Sequence, residues 1–366
     1  MAHWIDHPDT LHRWLERPVA RVGLDTEFIR ERTYWPKLAL VQIALPTDAG
    51  MEILLVDPLV PGMTDAFSPL IADRDVLKVM HSPSEDLVAF RHACGQVPAP
   101  LFDTQAAAAL VGMGAGLGYQ KLVAGIAGVM LEKGETRSDW MRRPLSPSQL
   151  QYAAEDVVHL FGMHDVLSQR LDAMGRTAWL EADMARTVEL AIEEAPETWP
   201  HLSMRSAQFL DTAGQARLLR LLRWRDEHAR RVDLPRSWVL ENELAYGLAR
   251  NPPASRDALL QVVSAHPKGP RKLIDAIWTA LANALPDEAA APDASIAERR
   301  DKARIRALQE AVAQRAGELG VAEGVLASRR HLEPLLDTGE WPAGLEGWRR
   351  EQLEPVLGPL LARPGA

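Results

Sequence analysis

A single cysteine, Cys94, stands in a chain of 366 residues. That excludes an intrachain disulfide framework and fits a reducing compartment, so a cytoplasmic location is expected. No Cys/His cluster has zinc spacing, which leaves a structural zinc site without donors. Aromatic side chains are scarce, at 6%, in a composition that is otherwise that of a globular protein. Long apolar runs are missing as well. The longest, Leu122 to Leu131, falls well short of the roughly 20 residues that cross a bilayer, so no membrane partner is expected. The start, Met1-Ala2-His3-Trp4-Ile5-Asp6, has neither the basic end nor the apolar core of a signal peptide.

Positive charge is also in deficit, with a net charge of −9, but the deficit is uneven. Residues 1–200 carry 17 basic and 28 acidic side chains, residues 201–285 carry 13 and 8, and residues 286–366 carry 11 and 14. An acidic first half followed by a basic module is not the profile of a uniformly acidic protein, and it keeps a polyanionic partner in play. The length itself calls for two or three domains.

The element around which the rest is arranged is Val22-Gly23-Leu24-Asp25-Thr26-Glu27-Phe28. Val19 to Asp25 reads as a strand ending on an acidic pair, and residues i and i+2 of a strand share a face, so Asp25 and Glu27 emerge side by side. Adjacent unpaired carboxylates repel, and a divalent cation is the usual reason to keep them together, a solvated strand end being the alternative. Leu38–Ala44 and Glu52–Asp57 read as two more strands, joined by a turn over Pro46–Gly50, and Val76–Met80 as a fourth. Ser82, Pro83 and Glu85 then read as N-cap, first helical position and capping-box acid, which leaves Asp86 to face elsewhere. Asp103 reads as the N-cap of an alanine-rich helix, and the glycines of 112–118 as a connector between helices rather than a nucleotide loop. Ser146-Pro147-Ser148-Gln149 repeats the start signal for a helix that carries Tyr152 and Asp156 on one face.

Asp25, Glu27, Asp86 and Asp156 are thus four acids at strand ends or in the first turns of helices, where α/β sites commonly form. Four carboxylates with no arginine in their motifs require cations. Two Mg²⁺ or Mn²⁺ ions about 3.5–4 Å apart would serve them and would clamp a phosphodiester. Tyr152, one turn before Asp156, has a phenol too weakly acidic to act as base near neutrality, so its role is to orient a water.

Asp25-Thr26-Glu27-Phe28, His81-x-x-Ser84-Glu85-Asp86-Leu87 and Tyr152-x-x-x-Asp156 resemble the three exonuclease motifs of the DEDD superfamily. Thr136-Arg137-Ser138-Asp139-Trp140 with Arg143-Pro144-Leu145 narrows the resemblance to bacterial ribonuclease D, and Tyr152 places it in the tyrosine subgroup. The resemblance implies an α/β, ribonuclease H-like domain with a mixed sheet and metal-dependent 3′→5′ hydrolysis of RNA, with tRNA precursors as typical substrates. It implies Asp25, Glu27, Asp86 and Asp156 as metal ligands and Tyr152 as the residue that positions water. Thr26 and Phe28 are candidates to touch the terminal nucleotide, a core role for the Phe28 ring being the alternative, and Arg137 is a further RNA contact.

Residues 204–284 resemble an HRDC domain, a small all-α module, through Leu222-Arg223-Trp224-Arg225-Asp226-Glu227 and Asp233-Leu234-Pro235. The arginines Arg217, Arg220 and Arg223 along its first helix are candidates to follow RNA phosphates. The expected division is an exonuclease domain over 1–170, a connector helix over 171–203, the HRDC-like domain over 204–284, a linker over 285–296 and a divergent second HRDC-like copy over 297–366. A monomer is expected. The competing readings are a DNA 3′→5′ exonuclease, against which the lack of a polymerase or helicase region counts, and a catalytically silent RNA-binding scaffold, against which five competent motif side chains count.

Overall fold

The computed structural model describes residues 2–48, 50–131, 134–135, 138–296 and 300–362. Two compact units divide the chain. One is built from Met1–Ile29, Pro36–Glu194 and Asp301–Ala366, the other from Arg30–Trp35 and Ala195–Arg300.

The first unit holds a six-stranded mixed sheet of β1 (Ala2–Ile5), β2 (Arg21–Ile29), β3 (Lys37–Thr47), β4 (Gly50–Val56), β5 (Leu77–Met80) and β6 (Leu101–Asp103), in the order β1-β4-β3-β2-β5-β6. The β4–β3–β2 meander is antiparallel, and β1 and the β5–β6 pair add in parallel on either side. Residues Leu38 to Leu45 of β3 are buried without a break, as expected of a central strand covered by helices on both faces. Those helices are α1 (Pro8–Leu15), α2 (Met63–Ala72), α3 (Ser84–Cys94), α4 (Thr104–Leu110), α5 (Tyr119–Ala127), α6 (Pro147–Val158), α7 (Leu160–Ala173) and α8 (Thr177–Glu193).

The structure corrects three local expectations. β2 does not end on its acidic pair but continues to Ile29, because β3 pairs with it throughout. The β3–β4 turn is tighter than Pro46–Gly50: Pro46 itself pairs with Met51, beyond the last β2 partner at Ala44. A proline is tolerated there because that side of the strand is locally an edge. The short strands β1 and β6 complete the sheet beyond the four that were expected.

The second unit is helical, with α9 (Thr212–Val232), α10 (Arg236–Val239), α11 (Asn242–Arg250), α12 (Arg256–Ala265) and α13 (Ile274–Ala282) around a core that includes Leu218, Leu222, Leu248, Leu259 and Ile277. The stretch 285–296 is no free linker. Asp293 accepts from Gln215 at 2.9 Å, and His201 meets the Pro292 carbonyl at 3.0 Å.

Nor do the final residues form a separate body. The helices α14 (Lys302–Leu319), α15 (Glu323–Leu326), α16 (Arg329–Thr338) and α17 (Trp348–Leu361) belong to the first unit. Leu308, Val312, Leu332 and Leu353 share its buried core with Leu54 and Phe90. Trp348 stacks on Trp179 at 4.3 Å, and its indole N–H reaches Asp183 at 3.1 Å.

Candidate active site

β5 accompanies β2 only from Arg21 to Gly23. Beyond that point β2 has a free side, and Asp25 and Glu27 lie on the part that projects past its parallel neighbour. Gly23 precedes them on the same face. A Cβ there would stand 3.0 Å from that of Ala44 and 3.2 Å from Leu160 Cδ1, so the close approach of α7 needs glycine. α6 packs across β2, β3 and β4, bringing Tyr152 and Asp156 to this region. Its start is the expected capping box: Gln149 N–H donates to Ser146 Oγ at 3.2 Å, and Ser146 N–H to Gln149 Oε1 at 2.9 Å.

The other helix start departs from expectation. α3 begins at Ser84 with Pro83 as its cap residue and no side-chain cap. Ser82 is held at φ 54 instead, and its N–H donates to Asp103 Oδ1 at 2.8 Å. Asp103 also accepts from Gln105 N–H at 2.8 Å, which makes it the N-cap of α4 as expected. The Ser82–Glu85 capping box is therefore absent, because Asp103 has taken the Ser82 amide. The distinction between neighbours survives: Glu85 is exposed, whereas Asp86 is buried and accepts the Thr26 hydroxyl.

Burial raises the proton affinity of all four acids, and their neighbours in the site raise that of Asp25 and Glu27 further. Asp25 is pushed well above the usual carboxylate range, first by burial and then by Asp86, Asp156 and Glu27. Burial, Asp156 and Asp86 carry Glu27 to about 8. Asp156 rises to about 7 and Asp86 to about 6, chiefly by burial, with Tyr152 and Thr26 respectively opposing the rise by hydrogen bonding. The Tyr152 phenol is itself pushed above its ordinary value by burial and then by Asp156, so it stays protonated and serves Asp156 as a donor. Among the described residues no three His, Cys, Asp or Glu side chains close into a metal-ligand group. The donor set is all oxygen and strongly anionic, which is the chemistry that hard divalent cations select.

The loop before α6 shapes this site. Trp140 is buried 6.1 Å from the Tyr152 ring. A Cβ on Gly134 would fall 1.7 Å from Tyr152 Cδ2, so the backbone lies directly against the phenol. Arg143 anchors the loop with Nε 2.7 Å and Nη2 2.6 Å from the Asp57 carboxylate, and with Nη2 2.6 Å from the Ala39 carbonyl.

A family model described as 3′-5′ exonuclease matches residues 2–172, and one described as HRDC domain matches 214–281. The ribonuclease D of Xanthomonas oryzae pv. oryzae is 58% identical over 363 residues, covering 99% of each chain. The chain belongs to the ribonuclease D family. The ribonuclease D of Pseudomonas paraeruginosa is 36% identical, covering 94% of this chain and 92% of its own. The crystal structure of Escherichia coli RNase D, described as an exoribonuclease involved in structured RNA processing, superposes with a TM-score of 0.81 at 28% identity, over 99% of this chain and 98% of that one. The protein is accordingly a 3′→5′ exoribonuclease acting on RNA, with the divalent-metal dependence of its exonuclease domain. No helix among the described residues is long and apolar enough to cross a membrane.

Within this member of the family, the candidate RNA contacts fare unevenly. Thr26 gives its hydroxyl to Asp86 and so supports a carboxylate. Phe28 is half-buried against the core just past a register shift in the β2–β3 ladder. Arg137 lies outside the described residues. The three arginines of α9 are engaged inside their own unit. Arg217 Nε donates to the Ala249 carbonyl at 2.8 Å. Arg220 meets the Glu288 carboxylate through Nε at 2.6 Å and through Nη2, and Arg223 meets Asp287 at 2.7 and 2.9 Å while lying over Trp199. The acidic partners of Arg220 and Arg223 sit in the expected linker, which gives this stripe a packing role. Arg220→Ala should accordingly lower the stability of the helical unit by about 1–3 kcal/mol, by stranding Glu288. RNA binding measured at several salt concentrations should keep its slope, and a slope lowered by one would restore the phosphate reading.

The residues that carried the HRDC resemblance have a structural task of their own. Asp233 Oδ1 accepts the backbone N–H of Tyr34 at 3.0 Å and of Trp35 at 3.1 Å, and Asp226 accepts the Tyr34 hydroxyl at 2.8 Å. The segment directly after β2 is thereby folded into the helical unit.

Sequence reasoning passed over Tyr119. Its hydroxyl donates to the Glu155 carbonyl at 2.8 Å and accepts the His159 N–H at 3.3 Å, which fixes the end of α6 that carries Asp156. His81, 5.6 Å from the Tyr119 ring, is held neutral by burial, which lowers it to about 4. Tyr119 has no distinguishing spacing, and only the fold brings it to His81 of the second motif.

Proposed function

We propose that Asp25, Glu27, Asp86 and Asp156 hold two divalent ions, Mg²⁺ or Mn²⁺, and that the protein removes nucleotides from the 3′ ends of structured RNAs, tRNA precursors among them, as a cytoplasmic monomer. The observation that carries this reading is the convergence of four carboxylates from three elements, with Asp25 and Glu27 disfavoured as anions by burial and by the other acids, a state that cations relieve. Ions bound there would supply a metal-activated water and charge neutralisation at the phosphodiester.

The chain's own groups do the positioning. Thr26 fixes Asp86 through its hydroxyl. Tyr152, wedged against Gly134 and near Trp140, keeps its proton and presents a donor beside Asp156, where it can orient a water but cannot take its proton. Phe28 is the candidate to stack on the terminal base. The final helices, packed on α8, are read as a divergent HRDC-like copy turned to structural use.

Digestion of end-labelled RNA tests the reading. Mononucleotides should be released from a free 3′-hydroxyl, activity should vanish with a chelator and return with Mg²⁺ or Mn²⁺, and a tRNA-like stem should halt it. Cleavage of a circular RNA, or undiminished cleavage without metal, would overturn it. Matched DNA should be cut more slowly. Tyr152→Phe should retain ion binding by calorimetry while turnover falls about 10²-fold, the scale of a misplaced reacting group. Loss of ion binding along with turnover would instead make Tyr152 a support for Asp156.

A further inference from the structure

Gln42 is the one polar side chain in the run Leu38-Ala39-Leu40-Val41-Gln42-Ile43-Ala44-Leu45, every member of which is buried. It lies directly across the β2–β3 ladder from Asp25. Residues so paired leave the sheet on the same face with Cβ atoms about 4.5–5.5 Å apart, within reach of an amide and a carboxylate. No part of Gln42 is exposed to solvent. Among the described residues neither its Oε1 nor its Nε2 has a hydrogen-bond partner.

A buried amide without partners lowers stability, and a methionine of similar length would fill the same space without that cost. Such a group is explained if it finds its partner in another state of the molecule. The residue across the ladder on its face is Asp25, a carboxylate. A carboxylate that gives some of its lone pairs to cations keeps others for a hydrogen-bond donor. An N–H across the ladder is the group that can take one up. Metal ligands are commonly oriented by hydrogen bonds of this kind, and their loss lowers metal affinity about 10- to 100-fold.

We propose that Gln42 is a positioning residue of the metal centre: in the ion-loaded enzyme its amide N–H donates to the Asp25 carboxylate and fixes which oxygen faces the ions. This rests on the reading of Asp25 as a ligand.

The test uses Gln42→Met in the full chain, with two readouts that a merely structural glutamine would move together. In chelator, the variant should melt higher than the parent, because an unpaired amide has been removed. In calorimetric titration with MnCl₂, it should bind about 10- to 100-fold more weakly. Opposite signs support the proposal. A variant that melts lower without ions would show that Gln42 is already satisfied there, and one that binds Mn²⁺ as the parent does would show that it does not serve the site. Either result overturns the inference. If the parent itself takes up no Mn²⁺, the ligand reading of Asp25 falls first, and this inference falls with it.

Discussion

Asp86→Asn should yield a well-folded protein whose turnover is reduced by orders of magnitude, while Glu85→Gln should remain an active enzyme. The two residues are neighbours on α3, rotated by about 100° around the helix, and the structure separates them completely. Asp86 is buried, accepts the Thr26 hydroxyl, and contributes to the repulsion that raises Asp25 and Glu27. An amide at that position can still accept from Thr26, so the fold keeps its contact. It is, however, a far weaker ligand for a hard divalent ion than a carboxylate. Removing one of four like charges should also make the ion-free variant melt above the parent. Glu85 is exposed in the first turn of α3, where a negative charge gains about 0.3–1 kcal/mol from the helix dipole. Its amide replacement should therefore shift the melting temperature slightly and leave turnover within about twofold. Melting curves and single-turnover rates on both variants decide the matter. An inactive Glu85→Gln beside an active Asp86→Asn would reverse the assignment.

What could be read from the chain was the part encoded by neighbours in sequence. The spacing of Asp25 and Glu27 puts both on one face of a strand wherever that strand ends. The Ser146–Gln149 box and the Asp103 cap form because each partner lies within three residues of the other. What escaped was set by distant partners. Ala2 pairs with Ile53 in β1, a four-residue strand with no alternation to betray it. Ser82 could not serve as a cap because its backbone sits at φ 54 rather than extended, with its amide held by Asp103 from the next strand over.

The α9 arginines show the same limit in electrostatic form. An apolar helix flanked by arginines looks identical whether its partners are phosphates or carboxylates. Asp287 and Glu288 lie more than 60 residues away in sequence, and only the fold brings them to Arg223 and Arg220. Gln42 was hidden for another reason. One amide in an apolar strand is unremarkable until the ladder register places it opposite Asp25.

The ion-free protein should lose stability steadily between pH 5 and pH 8, and divalent ions should restore it mainly at the upper end. A carboxyl whose proton affinity is raised by folding stabilises the native state fully below its unfolded-chain pKa. That contribution is lost as pH climbs through the raised value. Here the raised values are about 6 for Asp86, about 7 for Asp156 and about 8 for Glu27, against ordinary values of 3.8 for aspartate and 4.5 for glutamate. The loss therefore begins near pH 4–5 and is largely complete by about pH 8. A tenfold change in a proton equilibrium is worth about 1.4 kcal/mol, and a domain of this size shifts about 2–4 °C per kcal/mol. A fall of at least about 10 °C in chelator is thus expected across this range, the contribution of Glu27 alone. Saturating Mg²⁺ should flatten the curve, because ions hold the carboxylates as anions, and its stabilising increment should be small at pH 5 and largest at pH 8. Glu27→Gln should remove the steepest upper portion of the ion-free decline, since Glu27 ionises above both Asp86 and Asp156. A melting temperature that stays level from pH 5 to pH 8 in chelator would mean that the four acids do not share one desolvated site.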